Sequence, residues 1–270
     1  MAKKETTERI EIIEMRKGVV RFCVLGATPL LFEAMSLKAK QEFTLPRRKK
    51  TKAERTTTLK HNPVQEFRES VYEMPTTEAP TRLAYNAMWF KKALTGAAID
   101  VPGATKAELG RLSFVKGELM PIYGAPKLHS AVVRSGDMKR TPDIRFRAIL
   151  PEWACIVSVE FVTPQLNERD VTNLMAWAGQ IRGVGGWRTE KGSGNYGQFI
   201  LVKPDNPDFV RIVETQGREV QTQCLEEALP YDLESRRLLE YFNEEARARE
   251  LQTETDDEEL ESGDPEEVTA

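Results

Sequence analysis

Residues 183–199, GVGGWRTEKGSGNYGQF, hold six glycines (Gly183, Gly185, Gly186, Gly192, Gly194 and Gly197) interleaved with Trp187, Arg188, Lys191 and Tyr196. Glycine lacks a Cβ, so it reaches positive φ and lets a backbone approach a ligand closely, at an entropic cost on folding. So dense a window has to turn sharply or lie close against something. Its cations suit phosphates and its rings suit flat bases, the combination expected of a single-strand contact loop. A tight structural connection and a small-ligand loop are the other readings of the same composition. Gly192, Gly194 and Gly197 also spell GxGxxG, but a pyrophosphate cradle needs a strand before the glycines and a helix N-terminus after them. Here the order reads helix, loop, strand. No HRD or DFG motif follows to suit a kinase-type loop, so dinucleotide and ATP binding are set aside.

Little else in the chain is placed for covalent chemistry. His61 and His129 stand alone in the sequence without a neighbouring partner, and both read as non-catalytic. Cys23, Cys155 and Cys224 have no CxxC spacing and read as reduced thiols of a cytoplasmic protein. Neither a metal site nor a cofactor is expected. With 30% charged residues and a mean hydropathy of -0.47, the chain reads as soluble. No apolar run nears the ~20 residues of a membrane span, so no membrane partner is expected.

The net charge of -3 conceals two opposed runs. Thr253–Ala270 carries nine acids and no lysine or arginine, so the rest of the chain holds 39 basic against 33 acidic residues. Leu37–His61 concentrates nine of those cations, among them Arg47, Arg48, Lys49, Lys50, Lys52 and Arg55. A basic body with an acidic tail is the pattern of a polyanion binder whose tail competes for its own surface or recruits a protein partner.

Hydrophobic spacing organises the chain into an α+β core. GVVRFCVL (18–25) alternates as a strand, and residues 1–35 form the first strand region. Residues 36–80 read as a basic insertion or mobile loop, too long for an ordinary connection. The remainder of the core spans 81–225: a helix from about Thr81 to Asp100, strands at Leu112–Lys116, Leu128–Arg134, Asp143–Leu150 and Ala154–Val162, a helix capped by Asn167, and a strand at Gln198–Lys203. Ser135–Thr141, with Lys139 and Arg140, is a basic turn. Phe209–Val213 reads as an edge strand, 226–252 as a C-terminal helix and 253–270 as a disordered acidic tail. Without the insertion the order is β-α-β-β-α-β, a ferredoxin-like or RNA-recognition arrangement with both helices on one face of an antiparallel sheet. The opposite face is expected to be open, with Arg21, Arg145 and Arg147 projecting from it.

The run Arg145–Val202, with PEW at Pro151–Trp153, the strand ACIVSVEFV, the helix ERDVTNLMAWAGQI, GVGGWR at Gly183–Arg188 and a closing GQF, resembles the RAMP superfamily. These are RNA-recognition-like backbone subunits of CRISPR effector complexes. The chain also looks like uncharacterised phage-encoded proteins with a similar ending. The resemblance implies single-stranded RNA binding and side-by-side assembly along the ligand. The acidic tail is similar to those of single-strand DNA-binding proteins, so RNA and DNA both stay open. The expected function is a non-enzymatic single-stranded nucleic-acid-binding protein that forms homo-oligomers along its ligand. The alternatives are a RAMP-type endoribonuclease and a structural or inhibitory phage protein that binds a protein partner.

Overall fold

The computed structural model describes residues 14–44, 61–101, 103, 105–134, 141–191 and 194–261. Arg47, Arg48, Lys49, Lys50, Lys52, Arg55, Lys139, Arg140 and Gly192 lie outside them, as does the Lys191 side chain. The alternation in GVVRFCVL is kept: in β1 (Arg16–Gly26), Val20, Phe22 and Val24 are buried and Arg21 is exposed. β1 pairs antiparallel with β9 (Ala154–Thr163), from Arg16↔Thr163 to Leu25↔Ala154, and with β10 (Phe199–Val202) on its other edge. The far edge of β9 is shared by β5 (Ser113–Val115) and β6 (Leu119–Tyr123). The sheet then continues through β4 (Leu83–Asn86) to β3 (Tyr72–Glu73), making seven strands. A separate three-stranded sheet has the order β2 (Leu30–Leu31), β8 (Pro142–Leu150), β7 (Lys127–Arg134).

Two helices cover one face of the larger sheet. α3 (Ala87–Ala97) starts where the Asn86 side chain accepts the amide of Met88, and α5 (Glu168–Trp177) where Asn167 accepts that of Asp170. Such caps satisfy amides that the first helical turn leaves unpaired. Phe90 and Leu94 of α3 and Val171, Leu174 and Met175 of α5 meet Val20, Phe22, Val157 and Val159 in one core. Edge-to-face rings tie the two sheets together: Phe32–Tyr85, Tyr85–Phe90, Phe90–Phe199 and Phe199–Trp153, with centroids 5.6–6.3 Å apart. Each such pair adds about 0.5–1.5 kcal/mol beyond its buried area. The indole of Trp153 also donates to the Thr28 carbonyl at 2.9 Å.

Several expectations need correction. The helix expected from Thr81 starts only at Ala87, after the strand Leu83–Asn86, where the Asn86 side chain caps it. Phe209–Val213 is not an edge strand but part of α6 (Pro207–Thr215). Asn206 caps it, Pro207 occupies its first turn, and Phe209, Ile212 and Val213 share a face at helical spacing. That face lies over Cys23, Leu25, Ile156 and Val202, so the sheet face expected to be open is covered at this end. Residues 36–80 are not wholly an insertion. α1 (Leu37–Thr44) follows β2, and α2 (Pro63–Glu69) puts Phe67 into the core with no exposed surface. The chain closes with α4 (Lys106–Leu112) before β5, α7 (Arg218–Glu227) after α6, and α8 (Leu233–Glu261). α8 continues past Leu251 into the acidic segment, so that segment begins as helix. Among the described residues, no helix is long and apolar enough to cross a membrane.

Candidate nucleic-acid interface

The glycine loop follows α5 through a π-helical turn (Ala178–Arg182) and folds back on itself. Val184 donates to the Gly197 carbonyl at 2.9 Å, Gly186 to Leu31 at 2.9 Å, and Gly197 to Pro29 at 2.8 Å. The loop is therefore docked on the smaller sheet through its backbone. Gly197 sits at φ 73°, and a Cβ there would overlap the Val184 carbonyl oxygen. A Cβ on Gly194 would overlap the Trp187 carbonyl. Gly183, Gly185 and Gly186 approach Gly197, Leu30 and Glu33 in turn. The described glycines thus serve close packing within the protein, which is the structural-connection reading of the sequence.

The loop cations divide in the same way. The Arg188 side chain is only 13% exposed; it pairs with Glu190 at 2.7 Å, donates to the Gly185 carbonyl and lies over the Trp89 ring. Arg182, equally shielded, pairs with Asp100 at 2.6 Å and reaches Glu190 at 3.5 Å. Burial works against the Glu190 carboxylate, but its two arginines outweigh that and hold its pKa below the usual value. Arg188 is thus an internal charge rather than a projecting one. Trp187 is different: it is 43% exposed and has φ 48°, a left-handed backbone uncommon for a bulky residue. Strain of this kind persists only where the surroundings enforce it, and it clusters at functional sites.

Tyr196 links the loop to a group of residues the sequence does not connect. Its ring meets the edge of His129, on β7, with centroids 6.2 Å apart, and Tyr231 flanks the same imidazole at 5.7 Å. His129 Nδ1 lies 3.0 Å from Asp232 Oδ2, and Nε2 has no hydrogen-bond partner among the described residues. Burial opposes the Asp232 carboxylate, yet the Ser235 amide and hydroxyl and the imidazole together lower its pKa. Burial raises the pKa of Tyr196, helped by Tyr231 and Asp232. Asp232 also accepts the Ser235 amide at 2.7 Å at the start of α8. In sequence it reads only as a helix cap, 103 residues from its histidine, so no local signal reveals the pair.

Directly across the ladder from His129 is Arg147, and Arg145 faces Ala131 on the same side of the smaller sheet. Arg145 is 47% exposed and 3.1 Å from Asp143; Arg147 is more shielded and lies 3.4 Å from Glu33. Burial lowers the pKa of Arg147, with Glu33 acting in the opposite sense. Arg21 projects from the larger sheet instead, so the three arginines do not share one face as expected. Asp143 also receives His61 Nε2 at 3.0 Å, while His61 Nδ1 lies 2.7 Å from Glu66 of α2. His61, read as an isolated histidine, has two partners. These contacts hold His61, just before α2, against the start of β8. Among the described residues no cluster of three or more histidine, cysteine or acidic side chains could hold a metal ion. No family model and no curated protein matches the chain.

Proposed function

We propose that the protein binds single-stranded nucleic acid, without catalysing its cleavage, and assembles along it. The observation that carries this reading is the placement of Arg145 and Arg147 on one side of the smaller sheet, beside an aromatic group that includes Tyr196 of the glycine loop. Arg145 and Arg147 stand across the ladder from Ala131 and His129, the His129 ring meets Tyr196 of the glycine loop, and Trp187 of that loop is half-exposed. Arginines beside one exposed and one partly buried ring suit a flexible strand, whose phosphates and unstacked bases can be met in turn. The strand order β10-β1-β9-β5, with α3 and α5 on one face, supports a ferredoxin-like reading of that half of the molecule. β6, β4 and β3 extend it beyond the RAMP likeness.

The test is fluorescence anisotropy with labelled single and double strands of RNA and of DNA over a salt series. Single strands should bind more tightly, and log K should fall by roughly 0.7 per neutralised phosphate for each tenfold rise in salt. Equal binding of duplex, or an affinity indifferent to salt, rejects the proposal.

A second reading, endoribonuclease activity, is favoured by the His129–Asp232 pair alone. A carboxylate on Nδ1 fixes the tautomer that leaves a lone pair on Nε2, the arrangement of a general base. Nε2 would take the proton of a ribose 2′-hydroxyl as its oxygen attacks the adjacent phosphorus. The 5′-oxygen would leave with a proton from solvent. Incubation of labelled RNA with the protein and with His129→Ala, without metal, decides between the readings. Intact RNA in both leaves binding alone, and cleavage lost in the variant establishes the enzyme.

A further inference from the structure

Tyr85, on β4, is 2% exposed, and its ring is held edge-on by Phe32 and Phe90, with centroids 6.0 and 5.9 Å away. Its hydroxyl has no hydrogen-bond partner among the described residues. A buried hydroxyl normally has one, because burial strips it of water. Among the described residues, Thr189 Oγ1 is the only unpartnered side-chain polar atom sealed from solvent, so the small exposed part of Tyr85 includes its hydroxyl. The phenol therefore ends at an opening.

Polar groups line that opening. The glycine loop passes it without side chains: a Cβ on Gly185 would stand 3.5 Å from the Tyr85 hydroxyl, and one on Gly186 2.8 Å from Glu33 Oε1. Glu33, just after β2, keeps 35% of its side chain exposed and has one partner among the described residues, Arg147 at 3.4 Å. A carboxylate can accept about four hydrogen bonds, so most of its capacity is unused. Burial and then the Glu33 charge raise the pKa of Tyr85, and the same causes in the same order raise that of Tyr72 on β3. Both phenols keep their protons and can donate. Arg188 is also near Tyr85 but is committed to Glu190 and the Gly185 carbonyl. Next along the loop, Trp187 carries its half-exposed ring.

One hydroxyl donor, the two acceptor oxygens of a carboxylate and a neighbouring aromatic face complement a single base. The pairing edge of guanine presents a carbonyl acceptor followed by two adjacent N–H donors, on N1 and the 2-amino group. The edges of adenine and cytosine carry one donor group each, and those of thymine and uracil carry one donor between two carbonyls. Proteins read unpaired bases through these edges while stacking an aromatic side chain on the ring.

We propose that Glu33 and Tyr85 form a subsite for an unpaired guanine, with Glu33 accepting from N1 and the 2-amino group, Tyr85 donating to O6 and Trp187 stacking on the ring. For a guanine within a strand this rests on the binding function proposed above; for a free guanine nucleotide it does not. Arg147, the partner of Glu33, is one of the arginines of the proposed interface, so the base is read next to where its backbone is held.

The test measures affinity of the full chain for an oligothymidylate carrying one central guanine, adenine, cytosine or hypoxanthine, and separately for free guanosine and adenosine monophosphates. Guanine should bind about tenfold more tightly than adenine or cytosine, and hypoxanthine, which lacks the 2-amino group, should fall between them. Tyr85→Phe removes an oxygen that has no partner in the fold, so its thermal midpoint should stay within about 2 °C of the parent while the guanine preference drops several-fold. Glu33→Gln removes an acid, which by charge alone would tighten binding of all four strands alike; the subsite requires the guanine preference to fall.

Equal affinity for the four strands, hypoxanthine equal to guanine, or an undiminished preference in either variant overturns the subsite and leaves the binding function standing. A marked loss of stability in Tyr85→Phe would show a hydroxyl tied within the fold and overturns it as well. Binding of guanosine monophosphate that depends on Glu33 and Tyr85, with no strand bound, keeps the subsite and rejects the strand-binding function. Binding of neither strands nor mononucleotides rejects both.

Discussion

The arginines bordering the glycine loop and Arg145 of the smaller sheet share a chemistry and differ in availability. Arg182 and Arg188 border the glycine loop, where the sequence concentrates its aromatic and cationic residues, yet each is 13% exposed and tied to Asp100 or Glu190. Arg145 sits on an ordinary strand, is 47% exposed and, among the described residues, shares its one carboxylate partner with a histidine. The two arginines described beside the conspicuous glycines are thus structural ones, while a strand arginine keeps half its surface open to solvent. A charge counts toward a surface only after its internal partners are subtracted, and a partner can be as near as Glu190 is to Arg188 or as distant in sequence as Asp100 is from Arg182.

The largest effect expected is on the corner itself. Gly197→Ala forces a Cβ onto a left-handed backbone and into the Val184 carbonyl, and should cost at least about 3 kcal/mol in denaturant unfolding. A stable Gly197→Ala protein would show that the loop is not docked as described. Arg188→Ala should cost about 1–3 kcal/mol by leaving Glu190 short of a partner. Its change in single-strand affinity should be small. Loss of affinity with unchanged stability would restore Arg188 as a contact residue and collapse the contrast.

Trp187 sharpens the comparison from inside the loop. Either Trp187→Ala or Trp187→Gly should lose about 1–3 kcal/mol of affinity if the ring stacks on a base. Glycine adopts φ 48° without the steric cost that alanine's Cβ incurs there, so the Gly variant should be the more stable by about 1 kcal/mol. That reverses the usual order, and thermal midpoints of the two variants test it.

Arg145→Ala should stay within about 0.5 kcal/mol of the parent in stability. Its salt dependence of binding should be shallower by roughly 0.7 in log–log slope. An unchanged slope would remove Arg145 from the interface.

The smallest effect concerns pH. Asp232 has a lowered pKa in the folded state, so its contribution to stability is complete above the ordinary aspartate value and is lost as pH falls through the lowered one. Thermal midpoints of the parent and Asp232→Asn should therefore differ at neutral pH and converge below about pH 4. A gap that persists in acid would mean that the His129 contact does not depend on the carboxylate charge.

Much of the core was legible because its signals are local. Alternation marked β1, β8 and β9, and Asn167 followed by Val171, Leu174 and Met175 marked α5. Failures came where two local signals compete. Phe209–Val213 is β-branched enough for a strand, but Asn206 and Pro207 start a helix whose apolar face has a sheet to cover. Pro121 conceals β6, since a residue without an amide argues against a strand. Of the site, Arg145, Arg147, Trp187 and Tyr196 were legible as types suited to nucleic acid. The partners Asp232, Glu190 and Glu66 were not.

The sequence by itself determined which segments alternate, where helices are capped, that the chain divides into basic and acidic runs, and that residues 183–199 must turn tightly. Each of these follows from φ/ψ preference, side-chain period or composition over a few residues. Tertiary structure alone decided which cations are spent internally, which sheet each arginine joins, and that two isolated histidines each acquire carboxylates. Those outcomes depend on contacts across 82 residues for His61–Asp143 and 103 for His129–Asp232. Pairing at such separations is set by how the sheets and their covering helices dock, and no local property of the chain encodes it.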